Sequence, residues 1–305
     1  MPDPLDVPGA RLFWRSQGDG PTLLLIGGGV YDADALQGIA EHLSDSFTVI
    51  TYDRRGNSRS SHGVTREPQH IATHAEDARR ILLAAGASEA HPAAVFGNSS
   101  GATIALELSA MHPELVHTII AHEPPIFNLL DDRAQLFELL DRVEATFETE
   151  GTAPAMEVFS QGLSAANRGN PPDTGGRAPG GADLPPAELP PDVAEMMQRM
   201  DANLEFFIGF EAPYFSRYEP AMAQLRARGA SVIPAAGESS AGEAPHRSAV
   251  ALSEALNVEL RIFPGDHGGF GSHPQEFAST LEAALLAADQ TSPAIGRSRP
   301  VQVLY

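Results

Sequence analysis

Residues 97–101 read Gly97-Asn98-Ser99-Ser100-Gly101, with glycines two places before and two places after a serine. The apolar run Ala93-Ala94-Val95-Phe96 leads into this stretch, and Ser100–Met111 has the composition of a helix. A sharp strand-to-helix turn strains the backbone of its central residue. The flanking glycines remove side chains that would collide with the neighbouring strand and helix. Ser99 is the central residue, so its hydroxyl would stand above the sheet edge as a nucleophile. The backbone N–H of Ser100, at the helix N-terminus, would point toward the same spot, where the helix dipole favours negative charge.

A serine hydroxyl is a poor nucleophile without a base. Among the 11 histidines, His267 stands out in Phe263-Pro264-Gly265-Asp266-His267-Gly268-Gly269-Phe270. It follows the last predicted strand on a glycine-flanked loop. From the C-terminal edge of a parallel sheet such a loop can reach a serine on a central strand. His70 and His74 are spaced four apart, but no acidic third ligand or His-Glu-x-x-His pattern accompanies them, and no metal site is expected.

These groups need a scaffold. Pro21–Ile26 reads as a buried strand, and Phe47–Tyr52, Ala93–Phe96, His117–His122, Ala230–Ala236 and Val258–Phe263 read as further strands. Leu36–Leu43, His70–Ala85 and Ser100–Met111 read as helices between them. Strands alternating with helices imply a parallel sheet covered on both faces. Residues 126–225 interrupt the pattern. Ala134–Glu148 and Pro191–Phe215 predict helices, and Val193, Met197, Met200, Leu204 and Phe207 mark one apolar face. Between them, residues 167–191 are rich in Pro and Gly, which predicts a mobile segment. Helices without strands, inserted into a sheet's sequence, suggest a lid. The domain reading is a core of residues 1–125 and 226–290, a lid of residues 126–225, and a tail of residues 291–305.

Composition narrows the function. The net charge of −20 argues against a polyanionic partner, so no nucleic acid is expected. All 20 basic residues are Arg, which excludes Schiff-base chemistry and a phosphate-loop lysine. With no Cys there is no thiolate nucleophile, disulfide or Cys-ligated metal. The N-terminus is acidic and proline-rich, unlike a secretory signal, and no apolar run approaches the roughly 20 residues of a membrane span. A soluble cytoplasmic protein with a small-molecule substrate, no cofactor and no membrane partner is the expectation. Oligomeric state is open.

The sequence resembles the α/β-hydrolase family. The resemblance rests on the glycine-rich stretch after the first strong strand, on Tyr52-Asp53-Arg54-Arg55-Gly56-Asn57-Ser58-Arg59-Ser60, on the Gly97–Gly101 elbow, on the inserted helices and on the Gly265-Asp266-His267 loop. It implies an eight-stranded, mostly parallel sheet and the chain order nucleophile, acid, histidine. It also implies a second oxyanion donor, the N–H of Gly29 or Gly28, beside that of Ser100. Two fixed N–H groups aimed at a developing oxyanion are typically worth several kcal/mol.

The acid departs from the usual family pattern. Where Gly-x-x-Asp is expected, the chain reads Gly237-Glu238-Ser239-Ser240. Glu238 and, further along, Glu243 lie near that position. A second family position follows the strand after the elbow helix, and here that strand ends His122-Glu123-Pro124-Pro125. Glu123 is favoured over Glu238. The acid would hold the imidazole tautomer and stabilise the imidazolium. The reading is a serine esterase or lactonase acting on a small-to-medium apolar substrate, with Met197, Met200, Phe207 and Phe210 lining the pocket. Met196, Phe206, Tyr214, Phe215, Trp14, Phe127 and Tyr31 could contribute too. The same framework hosts cofactor-free haloperoxidases, carbon–carbon bond hydrolases and tailoring cyclases, and a non-catalytic ligand-binding protein is the alternative outside enzymes.

Overall fold

The computed structural model describes residues 3–166, 190–228 and 231–291. Strands β3 (Trp14–Gln17), β4 (Thr22–Ile26), β5 (Thr48–Tyr52), β6 (Ala93–Asn98), β7 (Val116–His122), β8 (Val232–Gly237) and β9 (Arg261–Phe263) form a seven-stranded sheet. Its order is β3-β5-β4-β6-β7-β8-β9, and only the edge strand β3 runs antiparallel. The central strands read as continuous apolar runs because helices cover both faces. Leu24 and Ile26 of β4 join the cluster formed with α2 (Ile71–Ala84) and α3 (Ser100–Met111). Leu23 and Leu25 point the other way, onto α1 (Gln37–Leu43) and α12 (Pro274–Thr291). Alternation along one strand thus builds both cores.

The expected eighth strand does not join the sheet among the described residues. Instead β1 (Leu5–Val7) and β2 (Ala10–Leu12) pair only with each other. Phe13 links this hairpin to β3. Its N–H donates to Ser60 Oγ at 2.8 Å, and its carbonyl accepts the Asp53 N–H at 3.0 Å. The carbonyl thus continues the β3–β5 register by one residue, while the N–H ends on the loop after β5.

Between β7 and β8 the described chain is helical: α4 (Arg133–Glu150), α5 (Thr152–Ala166), α6 (Pro191–Ala202), α7 (Leu204–Phe206), a π-helical turn (Phe207–Glu211), α8 (Ala212–Phe215) and α9 (Met222–Arg228). Sequence reasoning passed over α5, whose run contains Pro154 and Gly162. The proline falls in the first turn, where its missing N–H costs nothing. Gly162 lets Leu139 of α4 lie against the α5 backbone, since a Cβ there would come within 2.1 Å of Leu139 Cδ1. The single helix expected over Pro191–Phe215 is instead broken at Asn203. That side chain accepts the Ser58 N–H at 2.7 Å and donates to the Val30 carbonyl at 2.9 Å, tying the insertion to two core loops. The Pro- and Gly-rich segment lies outside the described residues from 167 to 189, as does the tail beyond 291. The remaining helices are α10 (Ala244–Leu256) and α11 (Gly269–Ser272). No helix among the described residues is long and apolar enough to cross a membrane.

Candidate active site

Ser99 sits at the β6–α3 junction with φ 54° and ψ −127°. A non-glycine residue rarely holds a positive φ unless its surroundings over-determine it. Here they do. The Ser99 N–H donates to the His122 carbonyl at 2.9 Å. A Cβ on Gly97 would come within 2.4 Å of the Gly101 carbonyl oxygen, and one on Gly101 within 2.2 Å of the Ile26 carbonyl oxygen. The two glycines are therefore steric requirements of the turn. Ser99 Oγ makes no hydrogen bond with the described residues.

Glu123 follows β7 directly and also has a positive φ, 48°. Its N–H donates to the Ala235 carbonyl at 2.9 Å, which extends the β7–β8 pairing past the strand end. The side chain is completely buried. Oε2 lies 2.6 Å from His267 Nδ1. Oε1 accepts the Gly237 N–H at 2.9 Å and the Ser240 hydroxyl, and lies 3.6 Å from His246 Nδ1. Burial alone would raise this carboxyl, but hydrogen bonding to His246 and His267 outweighs it and holds the pKa well below the ordinary value. The complement holds at His267: burial disfavours the imidazolium, and the Glu123 hydrogen bond and charge overcome it and raise the pKa.

Glu123, not Glu238, is the carboxylate on His267. Glu238 is exposed, and its N–H donates to the Phe263 carbonyl at 3.0 Å. Ser240, at the place where the family's usual acid was sought, donates instead to Glu123. Glu243 lines the adjoining cavity, and burial together with the Glu123 charge raises its pKa.

Three supporting residues escaped the sequence reading. Asn98, between Gly97 and Ser99, is fully buried, and its Nδ2 donates to the His267 carbonyl at 2.9 Å and to His122 Nδ1 at 3.2 Å. It pins the histidine loop to the elbow. His122 packs edge-on against Phe263 and Phe277, and burial lowers its pKa to about 4, so it stays a neutral acceptor. His246 is the third. In the sequence the only mark of these roles is an Asn directly after the apolar run, between Gly97 and Ser99.

Above the elbow lies a cavity of about 880 Å³, lined by Gly28, Gly29, Ser99, Ser100 and His267 from the core and by Met197, Met200 and Phe207 from the insertion. Met156, Phe159 and Leu163 of α5 add to the wall, so the helix missed in sequence shapes the pocket. Phe210 lies elsewhere. The π turn swings it onto Phe147 and Phe206, with ring centroids at 5.5 and 5.8 Å, and its carbonyl accepts the Gln69 N–H. The charged side chains lining the cavity besides His267 are Asp201, Glu243 and Asp266, all acidic, among the described residues.

The family model for the alpha/beta hydrolase fold matches residues 21–197. The chain belongs to the α/β hydrolase family. It is 32% identical over 287 residues to the uncharacterized hydrolase YraK of Bacillus subtilis, covering 92% of this chain and 94% of that one. It is 29% identical over 156 residues to 2-(acetamidomethylene)succinate hydrolase of Mesorhizobium japonicum, 46% of this chain and 52% of that one. A thermophilic esterase from Thermogutta terrifontis superposes with a TM-score of 0.67, covering 93% of this chain and 97% of that one. At 17% identity this likeness speaks for the α/β hydrolase fold alone.

Proposed function

We propose that this α/β hydrolase cleaves a carboxylic ester or lactone of a small-to-medium, largely apolar substrate, using Ser99, His267 and Glu123. The observation that carries the reading is the 2.6 Å contact between His267 Nδ1 and the buried Glu123 carboxylate, on a loop tied by Asn98 to the strained turn that presents Ser99. His267 Nε2 takes the proton from Ser99 Oγ as that oxygen attacks the carbonyl carbon. The tetrahedral intermediate collapses when His267 returns the proton to the leaving alkoxide. Water, deprotonated by His267, then releases the acid. Glu123 keeps the proton on Nδ1 and stabilises the imidazolium without itself being protonated. A relative named as a hydrolase, matching nearly the whole chain, supports hydrolysis. The acidic lining disfavours carboxylate-bearing acyl groups, which leaves neutral esters as the first substrates to try.

Turnover of p-nitrophenyl butyrate and fluorophosphonate labelling test the reading. Ser99→Ala should remove labelling and lower kcat by about 10³-fold or more. A Ser99→Ala variant with undiminished turnover would refute the nucleophile.

A further inference from the structure

Ser100 contributes more than a backbone N–H. Its Oγ accepts the Gly29 N–H at 2.9 Å, so of the two N–H groups expected to serve the oxyanion from the loop after β4, those of Gly29 or Gly28, the first is committed to a side chain. A hydroxyl that accepts still has its own proton to donate. Among the described residues nothing takes that proton: the bond made by Thr103 goes to the Ser100 carbonyl. Ser100 is almost entirely buried, yet it lines the cavity beside Ser99, Gly28 and Gly29.

The loop is held in this arrangement from behind. Arg54 Nη2 donates to the Gly29 carbonyl at 2.5 Å, and Arg54 Nη1 donates to Glu211 of the π turn at 2.6 Å, a pair with 1% and 0% side-chain exposure. Gly28 lies against the elbow so closely that a Cβ there would come within 2.7 Å of Ser99 Cβ and 2.8 Å of the Ser100 nitrogen. A side chain at 28 would fill the space over the Ser100 N–H.

We propose that the Ser100 hydroxyl is an oxyanion donor. It stands between the Gly29 N–H and the substrate oxygen, accepting from the first and donating to the second, next to its own backbone N–H. Donation by Gly29 polarises the hydroxyl, as in any hydrogen-bonded chain of low local dielectric. The proton remains on Ser100, and only the hydrogen bond strengthens as negative charge develops. The inference rests on the serine-hydrolase reading above and adds a side chain to its catalytic groups.

Ser100→Ala, Ser100→Gly and Ser100→Thr decide it, assayed for p-nitrophenyl butyrate turnover and for inhibition by butylboronic acid, with fluorophosphonate labelling and thermal melting to confirm folded protein. Loss of one oxyanion donor lowers kcat on the order of 10²-fold. That fall is expected in the Ala and Gly variants, with KM within a few-fold and boronate affinity falling in step, while Ser100→Thr keeps most activity. A merely structural role would move melting but not boronate affinity relative to KM. A fall in kcat of less than about tenfold in folded Ala or Gly variants, or a rise, would overturn the proposal, because the released Gly29 N–H would then be serving the oxyanion directly. Wild-type protein that neither turns over esters nor labels would sink the serine-hydrolase reading itself, an outcome distinct from an active wild type with an equally active Ser100→Ala.

Discussion

The two walls of the cavity are held by different physics. On the core side, Ser99 and Glu123 sit on backbone turns with positive φ at the ends of adjacent parallel strands, β6 and β7. Each is fixed by hydrogen bonds to the neighbouring strand, and Asn98 ties the His267 loop to them. On the insertion side, Met197, Met200 and Phe207 are placed by apolar packing on α6 and the π turn. Backbone hydrogen bonds tolerate little displacement, whereas apolar contacts accept other side chains of similar volume. The contrast separates chemistry from fit for the lining side chains: Met197, Met200 and Phe207 can vary without touching the bonds that hold Ser99 and Glu123, whereas Asn203 and Glu211 of the same insertion also brace core loops.

The largest test of that separation is Glu123→Gln. Removing the negative charge from His267 while keeping the shape should lower kcat by about 10²- to 10⁴-fold with KM nearly unchanged. Glu238→Gln should change kcat less than twofold. Steady-state kinetics of both variants would break the assignment if the ranking reversed. On the opposite wall, Phe207→Ala should raise KM about tenfold, worth ~1.4 kcal/mol, and leave kcat within a few-fold. Phe210→Ala, outside the cavity, should lower the melting temperature and spare KM. An equal rise in KM from both would mean that the π turn, rather than one ring, sets the fit.

The smallest effect is in the pH profile. In the proposed mechanism His267 is the base and must be neutral; burial lowers its pKa, but the Glu123 hydrogen bond and charge outweigh burial and raise it above 6.5. The rising limb of kcat/KM should therefore lie above pH 6.5 and move to lower pH in Glu123→Gln. A limb that stays in place would show that Glu123 does not tune the imidazole.

Much of this was legible in residue order. The elbow is local chemistry: the strand, the two glycines and the helix start all fall within ten residues, so Ser99 could be chosen by steric reasoning alone. The apolar runs of β4, β6 and β7 likewise declared a sheet buried on both faces. The choice of Glu123 was favoured but not forced, because two glutamates follow strands that end at the same sheet edge. The single helix read over Pro191–Phe215 failed at Asn203, whose long-range bonds to Ser58 and Val30 outweigh local propensity. Phe210 was placed in the pocket by apolar composition alone, which cannot tell which way a ring points; the π turn directs it onto Phe147 and Phe206 instead.

By itself, then, the order of residues determined the strand–helix alternation and singled out the proposed nucleophile and the proposed histidine, since each depends on neighbours in the chain. Only the tertiary structure decided which carboxylate meets His267, that Ser240 and Gly237 brace it, and that the Gly29 N–H ends on Ser100. Those contacts join groups tens to more than a hundred residues apart, and which of them form depends on strand register and backbone angle rather than on any local pattern.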